Sequence, residues 1–148
     1  MSFDSKYFRY VITTGILSTI IAVLGVMIVI VSAGTLTFSQ VFNLPTILGT
    51  IVLVCVTFYL LSFFLSHNVI EKIHSKTGLL LYIAFAVFAS IELFNIILSV
   101  LTHSTYYPSD PAFYRNFWIS RLINLIISCV ATSAVAYITQ KNLNELYK

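Results

Sequence analysis

The feature that most constrains this chain is a set of four long, nearly uninterrupted apolar runs separated by short connections. A bilayer core about 30 Å thick is crossed by roughly 20 helical residues, since an α-helix rises about 1.5 Å per residue. The runs reach that length and cover about residues 10–31, 46–66, 79–101 and 117–139. Because short connections make successive helices antiparallel neighbours, we predict an all-α, integral membrane bundle of four antiparallel transmembrane helices, with residues 1–148 forming a single domain.

The runs are rich in Val and Ile, which favour strands in water. In lipid, however, every backbone polar group must be satisfied within its own segment, so a helix is favoured. A transmembrane β-barrel would instead show segments of about ten residues with alternating hydrophobicity. Residues that end or start helices lie at the predicted boundaries: Gly34, Pro45, Gly78, Pro108 and Pro111.

The composition agrees with a chain that faces lipid. Of the 148 residues, 59% are hydrophobic and 9% are charged, whereas soluble domains carry about 25% charged residues. This excludes a soluble enzyme, a nucleic-acid binder and a disordered segment. The Lys and Arg residues are dispersed, so we expect the lipid bilayer, and not nucleic acid, as the surrounding partner. Cys55 and Cys129 lie within apolar runs, where we expect them to behave as small buried hydrophobic residues.

Lys and Arg residues predict the orientation. Six lie before the first run, between the second and third, or after the fourth, and only Arg115 lies in the other two connections; the six are Lys6, Arg9, Lys72, Lys76, Lys141 and Lys148. The positive-inside rule then places both termini in the cytoplasm of a multi-pass protein. A cleaved signal peptide is the competing interpretation of the first run, but its length of about 22 residues exceeds a signal core of about 7–15.

Two charged residues lie inside the predicted spans, and both have polar neighbours at helical spacing. The stripe on the third span consists of Glu92, Asn95 and Ser99, and the stripe on the fourth consists of Arg121, Asn124, Ser128 and Thr132. Each set shares one helix face. From the expected depths, Glu92 can pair with Arg121, flanked by Asn95 and Asn124 at one level. This intramembrane polar cluster is the candidate site.

Two interpretations of the cluster remain open. In the structural one, the ion pair and its amide neighbours fix the register of the third and fourth spans, since interhelical polar contacts specify a helix partner. In the functional one, Glu92 is a titratable carboxyl in a midplane cavity, and Arg121 tunes it or binds an anion.

The first span carries a different pattern, a seam of small residues: Gly15, Ser18, Ala22, Gly25 and Ser32. Small residues let membrane helices approach closely. The seam can pack within this bundle or against another protein.

Aromatic residues flank the spans, as in the aromatic belts of membrane proteins; they include Tyr7, Phe8, Tyr10, Trp118 and Tyr147. The predicted outer loop before the fourth span is also dense in aromatic residues, and a lid or partner-docking surface is the alternative to anchoring. His67 and His74, beside Glu71, lack a third close ligand, so we predict no metal site. No motif of a hydrolase, a metalloprotease or a phosphate-binding loop is present, and we expect no catalytic residues and no cofactor.

The chain lacks the motifs of several four-span families, among them the first-span Glu of small multidrug transporters and the outer C-x-x-C of disulfide-forming oxidoreductases. We therefore predict a small polytopic membrane protein without enzymatic activity. It would act as a non-catalytic subunit or assembly component of a larger membrane complex or of a homo-oligomer. The alternative is a small oligomeric transporter or channel that uses the polar cluster.

Overall fold

The computed structural model describes residues 6–34, 37–66, 69–101 and 111–148. Every regular element in these ranges is helical: α1 (Lys6–Ser32), α2 (Phe38–Val41), α3 (Leu44–Ser66), a 3-10 turn (Ile70–Lys72), α4 (Lys76–Leu101), α5 (Pro111–Ile138) and α6 (Gln140–Leu146). Within these ranges four helices, α1, α3, α4 and α5, are long and apolar enough to cross a membrane. The predictions of an all-helical fold and of four such helices are confirmed.

Local signals start and end these helices. The side chain of Asn43 accepts a hydrogen bond from the backbone N–H of Thr46 at 3.0 Å, which satisfies a free N–H at the start of α3. The hydroxyl of Ser75 accepts one from the N–H of Gly78 at 3.0 Å and does the same for α4. Gly34 follows the end of α1 with a φ of 72°, a left-handed conformation that favours glycine.

The structure differs from the sequence prediction mainly at the boundaries. Pro111 is the first residue of α5 and not part of the preceding loop, a position proline tolerates because a first-turn N–H has no intrahelical acceptor. Pro108 lies outside the described residues. Three short elements, α2, the 3-10 turn and α6, occupy segments that the sequence predicted as connections or tail. Hydropathy locates the apolar part of a helix, whereas backbone hydrogen bonding continues into polar residues beyond it.

The long helices surround one core. Both α1 and α4 pack against the other three long helices, whereas the main contacts of α3 and of α5 are with α1 and α4. The core between them is built of fully buried apolar side chains, among them Val11, Val54, Phe58, Ile83 and Val87.

The outer faces of the long helices are also apolar. Large hydrophobic side chains point outward on all four; examples are Ile28, Val52, Phe85 and Val130. A chain that is apolar both inside and outside is typical of helices surrounded by lipid. Cys129 belongs to this outer surface, so the prediction that it is buried is wrong, while Cys55 is half-buried. Hydropathy does not distinguish a lipid-facing position from a core position, because both are apolar.

Candidate functional site

The structure brings three of the predicted polar residues together between α4 and α5. The guanidinium Nε of Arg121 lies 2.6 Å from Oε2 of Glu92. The amide Nδ2 of Asn124 donates a hydrogen bond of 2.8 Å to the other carboxylate oxygen, Oε1. Each oxygen of the carboxylate therefore has its own donor on α5.

Helical spacing on α5 produces this arrangement. Arg121 and Asn124 are three residues apart, so they share a face and reach the carboxylate from adjacent turns. Exposure decreases from Arg121 at 26% and Glu92 at 14% to Asn124 at 5%. The pair thus lies at the edge of the helix contact, with its amide partner inside.

The residue Ser128 supports Asn124 without touching the carboxylate. Its hydroxyl donates a hydrogen bond of 2.8 Å to the backbone carbonyl of Asn124, and the side chain is fully buried. This is the usual bond from a helical serine to the carbonyl four residues earlier. Ser128 therefore belongs to the stripe by position, but it bonds within its own helix.

The remaining stripe residues lie outside the triad of Glu92, Arg121 and Asn124. Asn95 is half-buried on α4, three residues beyond Glu92. Ser99 belongs to α4, but its side chain is outside the described residues. Thr132 is buried, and its hydroxyl has no hydrogen-bond partner.

An aromatic contact completes the site and was missed by sequence reasoning. The guanidinium carbon of Arg121 lies 4.4 Å from the ring centroid of Phe117, within the range of a cation–π interaction. The signal was available, since the two residues are four apart on one helix. Arg121 is therefore held by a carboxylate and by an aromatic face.

The small-residue seam of α1 faces helices of the same chain. A Cβ added at Gly15 would overlap the ring of Phe58 on α3, and one added at Gly25 would lie 3.1 Å from Ile127 on α5. Ser18 and Ala22 are fully buried between them, whereas Ser32 is exposed at the end of α1. The seam is where α1 approaches α3 and α5 closely.

A second polar group joins the start of α1, the start of α4 and α6. The hydroxyl of Tyr7 donates to the carbonyl of Leu146 at 2.8 Å, and the hydroxyl of Tyr147 donates to the carbonyl of Ser75 at 3.2 Å. The Tyr7 and Tyr147 rings meet edge to face, with centroids 5.6 Å apart. The hydroxyl of Tyr10 lies 3.0 Å from the hydroxyl of Thr139 at the same end of the molecule. We call Tyr7, Tyr10 and Tyr147 the tyrosine cluster.

These contacts change the interpretation of the aromatic residues at this end. Phe8 and Tyr10 are buried, so they pack against the protein and do not anchor it in the headgroup region. Trp118 is 69% exposed, as an interface anchor requires. Partial burial, and then the nearby Tyr7 and Tyr10 phenols, raise the pKa of Tyr147.

Nothing in the described part of the chain gathers metal ligands. Within those ranges no group of three His, Cys, Asp or Glu residues could hold an ion. His74 is exposed, and His67 lies outside the described residues. The predictions of no metal, no cofactor and no catalytic residue stay predictions.

Comparison with protein-family models, with curated proteins and with solved structures gives no match for this chain. The site must therefore be interpreted from its own geometry.

Proposed function

We propose that the chain is a multi-pass membrane protein with antiparallel spans and cytoplasmic termini. It would act as a non-catalytic subunit or assembly component of a larger membrane complex or homo-oligomer. The observation that carries this proposal is the complete pairing of Glu92 by Arg121 and Asn124. A carboxylate with a donor on each oxygen holds two helices in register, and it offers no free charge for chemistry.

The contacts between α4 and the α5–α6 segment support the antiparallel arrangement. Lys76, at the start of α4, donates a hydrogen bond of 2.8 Å to Asn144, which lies beyond the end of α5. Glu92, further along α4, bonds Asn124, which lies earlier on α5. As one helix advances, its contacts move back along the other, which is the pattern of antiparallel neighbours.

The surface of α3 supports the assembly role. In an 18-residue apolar stretch of each long helix, only 17% of the residues of α3 are buried, compared with 39% for α1 and 33% each for α4 and α5. Its exposed large side chains include Leu48, Val52, Val56, Leu60 and Phe64. Because α3 is the least buried of the four long helices, we propose that its exposed face binds an apolar helix of a second subunit. In a chain without that partner, lipid would cover the same face.

Accessible single cysteines test the orientation. In a Cys55→Ala/Cys129→Ala background, Ser39→Cys, Lys72→Cys and Lys148→Cys would be treated with a membrane-impermeant maleimide in intact cells. We expect labelling of position 39 only, with labelling of the other two after permeabilisation. Labelling of position 72 in intact cells would reverse the proposed orientation.

Bulky substitutions on α3 test the assembly role. We expect Val52→Trp and Val56→Trp to reduce the size of the complex extracted in mild detergent, while Val130→Trp, on the exposed face of α5, leaves it unchanged. The measurement is the mass of the solubilised particle by light scattering with detergent correction. A wild-type particle that contains one chain and no other protein would contradict the subunit proposal.

A small oligomeric transporter or channel is the second candidate, and one observation favours it. The hydroxyls of Thr14, Thr19 and Thr132 are buried among the helices without hydrogen-bond partners. Unpaired polar groups are costly in a bilayer, and water or a passing polar solute can satisfy them. In this candidate Glu92, Asn95, Arg121 and Asn124 would contact the solute.

Two substitutions separate the candidates, Glu92→Gln and Arg121→Gln, each assayed for assembly and for solute flux in reconstituted vesicles. Intact assembly with abolished flux would favour the transporter. Lost assembly, with no flux from the wild-type chain, would favour the subunit.

A further inference from the structure

A cavity of about 290 Å³ lies where α1 begins and α5 passes into α6. Its polar lining includes Lys6, Arg9, Thr13, Thr14, Thr139 and Asn142. None of these residues belongs to the triad of Glu92, Arg121 and Asn124 or to the small-residue seam of α1. Thr14 directly precedes Gly15 of the seam in the sequence. The cavity is therefore a separate feature of the molecule.

The lining is rich in hydrogen-bond donors of the kind that bind oxyanions. Lys6 and Arg9 are cations three residues apart on the first turn of α1, so they share a face. Threonine hydroxyls and the amide of Asn142 add neutral donors. Arginine and lysine with hydroxyl donors are the usual partners of phosphate groups.

One residue of the lining, Thr14, carries a buried hydroxyl without a hydrogen-bond partner. The side chain of Thr14 as a whole is fully buried. By contrast, the hydroxyl of Thr139 donates to the carbonyl of Val135 at 2.9 Å. A buried donor without an acceptor is costly, and a bound anion would satisfy it.

The electrostatics of the cavity also favour an anion. The described first turn of α1 has no acidic residue, and the start of a helix carries a partial positive charge. Glu145 is the carboxylate of the lining, beside the cations Lys6 and Arg9. It also sets a specificity, because it repels a ligand that carries negative charge on every side and suits a headgroup with a cationic or hydroxyl end.

We propose that this cavity binds a phosphate group, with Lys6 and Arg9 as its charge partners and the hydroxyl of Thr14 as a buried donor. Its volume lies at the lower limit of ligand pockets, about 300 Å³, which suits a small phosphate compound or a phospholipid headgroup. The phospholipid source rests on the orientation proposed above, which places this end at the cytoplasmic leaflet, where anionic lipids are concentrated. The phosphate chemistry itself does not depend on that orientation.

The test uses the full chain in two settings. In detergent, the unfolding midpoint is measured against added inorganic phosphate, with chloride at equal ionic strength as the reference. In nanodiscs, retained phospholipid per chain is measured by native mass spectrometry with phosphatidylglycerol or phosphatidylethanolamine mixed into phosphatidylcholine. An unfolding midpoint that rises with added phosphate indicates that the ligand is a soluble phosphate compound. Selective retention of one phospholipid without such a rise indicates that the ligand is a lipid headgroup.

Matched variants identify the cavity as the site. We expect Lys6→Gln/Arg9→Gln to weaken binding about a hundredfold and Thr14→Val about tenfold, since each lost charge-assisted or buried hydrogen bond contributes roughly a factor of ten. The control Lys72→Gln/Lys148→Gln removes the same charge at exposed residues outside the cavity and should bind as the wild type does.

Two results would overturn the proposal. Equal losses in the cavity variant and the control would mean that general surface charge attracts the anion. Binding of neither phosphate nor phospholipid by the folded wild-type chain would mean that the cavity is not a phosphate site. Because the detergent measurement needs no bilayer, a reversed orientation would leave its result interpretable.

Discussion

The α1–α3 contact packs the ring of Phe58 against Gly15, whereas the α4–α5 contact pairs Glu92 with Arg121 and Asn124. The first contact depends on the absence of a side chain, and the second depends on charge and hydrogen bonds. In a bilayer, apolar side chains gain little by leaving lipid, so helix partners are specified by close packing and by polar contacts. The α1–α3 contact depends on close packing, and the α4–α5 contact depends on polar pairing.

The difference predicts different sensitivities. A helix contact that depends on close packing should be destabilised by a larger side chain and should be insensitive to the removal of a charge. A contact formed by an ion pair should tolerate volume at its edge and fail when either partner is neutralised alone. Both sensitivities can be measured as changes in the free energy of unfolding in mixed detergent micelles.

We expect the largest effect from Gly15→Leu, with a loss of about 2–3 kcal/mol of unfolding free energy from overpacking. The new side chain would overlap the ring of Phe58, which is fully buried. Gly49→Leu is the control, because nothing lies within 4 Å of its added Cβ. Adding Phe58→Ala to Gly15→Leu should restore part of the loss; equal losses at positions 15 and 49 would contradict the shape-based contact.

Neutralising one member of the ion pair should have the next largest effect. Arg121→Gln should cost about 1–2 kcal/mol, because Glu92 keeps its charge at a mostly buried position after losing its cationic partner, with Asn124 still donating to it. The double variant Glu92→Gln/Arg121→Gln should be more stable than the sum of the two single losses predicts. Strict additivity in this double-mutant cycle would mean that the two residues do not interact.

The aromatic neighbour of Arg121 should contribute less. We expect Phe117→Leu to reduce the unfolding free energy by about 0.5–1 kcal/mol, the range of a partly exposed cation–π contact. Trp118→Leu is the matched control, since Trp118 is exposed and meets the Phe117 ring edge to face. A larger loss at position 118 than at 117 would argue against the Arg121 contact.

The smallest effect should appear at alkaline pH in the tyrosine cluster. The pKa of Tyr147 is raised from 10.0 by burial and by its phenol neighbours, so the folded state favours the neutral phenol. This stabilisation is present below pH 10 and is lost as the pH rises through the higher folded pKa. We expect Tyr147→Phe to reduce the fall in stability above pH 10, with Tyr137→Phe, at an exposed position, as the control. If Tyr147→Phe loses as much stability above pH 10 as the wild type does, the tyrosine cluster does not cause that loss.

Much of the polar site could be predicted from the sequence. Charges inside apolar spans are rare and usually face other helices, so the apolar runs around Glu92 and Arg121 are enough to identify both as site candidates. Their pairing, and the participation of Asn124, follow from helical spacing together with the depth of each residue. The geometry of the bond from Asn124 to Oε1 of Glu92 could not be predicted, because it depends on how packing rotates each helix about its axis.

Other parts of the molecule gave weaker signals. The tyrosine cluster joins Tyr7 to Leu146 and Tyr147 to Ser75, residues that are far apart along the sequence. Tyrosines near span ends are typical of interface anchors, so the sequence favoured lipid contact over protein contact. The cavity around Thr14 was not predicted either, since it exists only where α1 meets the junction of α5 and α6.

From the sequence alone it follows that the chain is helical, that four of its helices are long and apolar enough to cross a membrane, and that Glu92 and Arg121 lie within the apolar runs. Those properties depend on local composition and on the length of each apolar run. Which face of each helix is buried depends on how the helices pack against one another. In α1 the glycine at position 15 receives an aromatic ring, while in α3 the glycine at position 49 faces outward. Because these helices carry apolar side chains on their outer faces as well as in the core, hydrophobicity does not select the buried face, and burial follows from shape and polar pairing between helices.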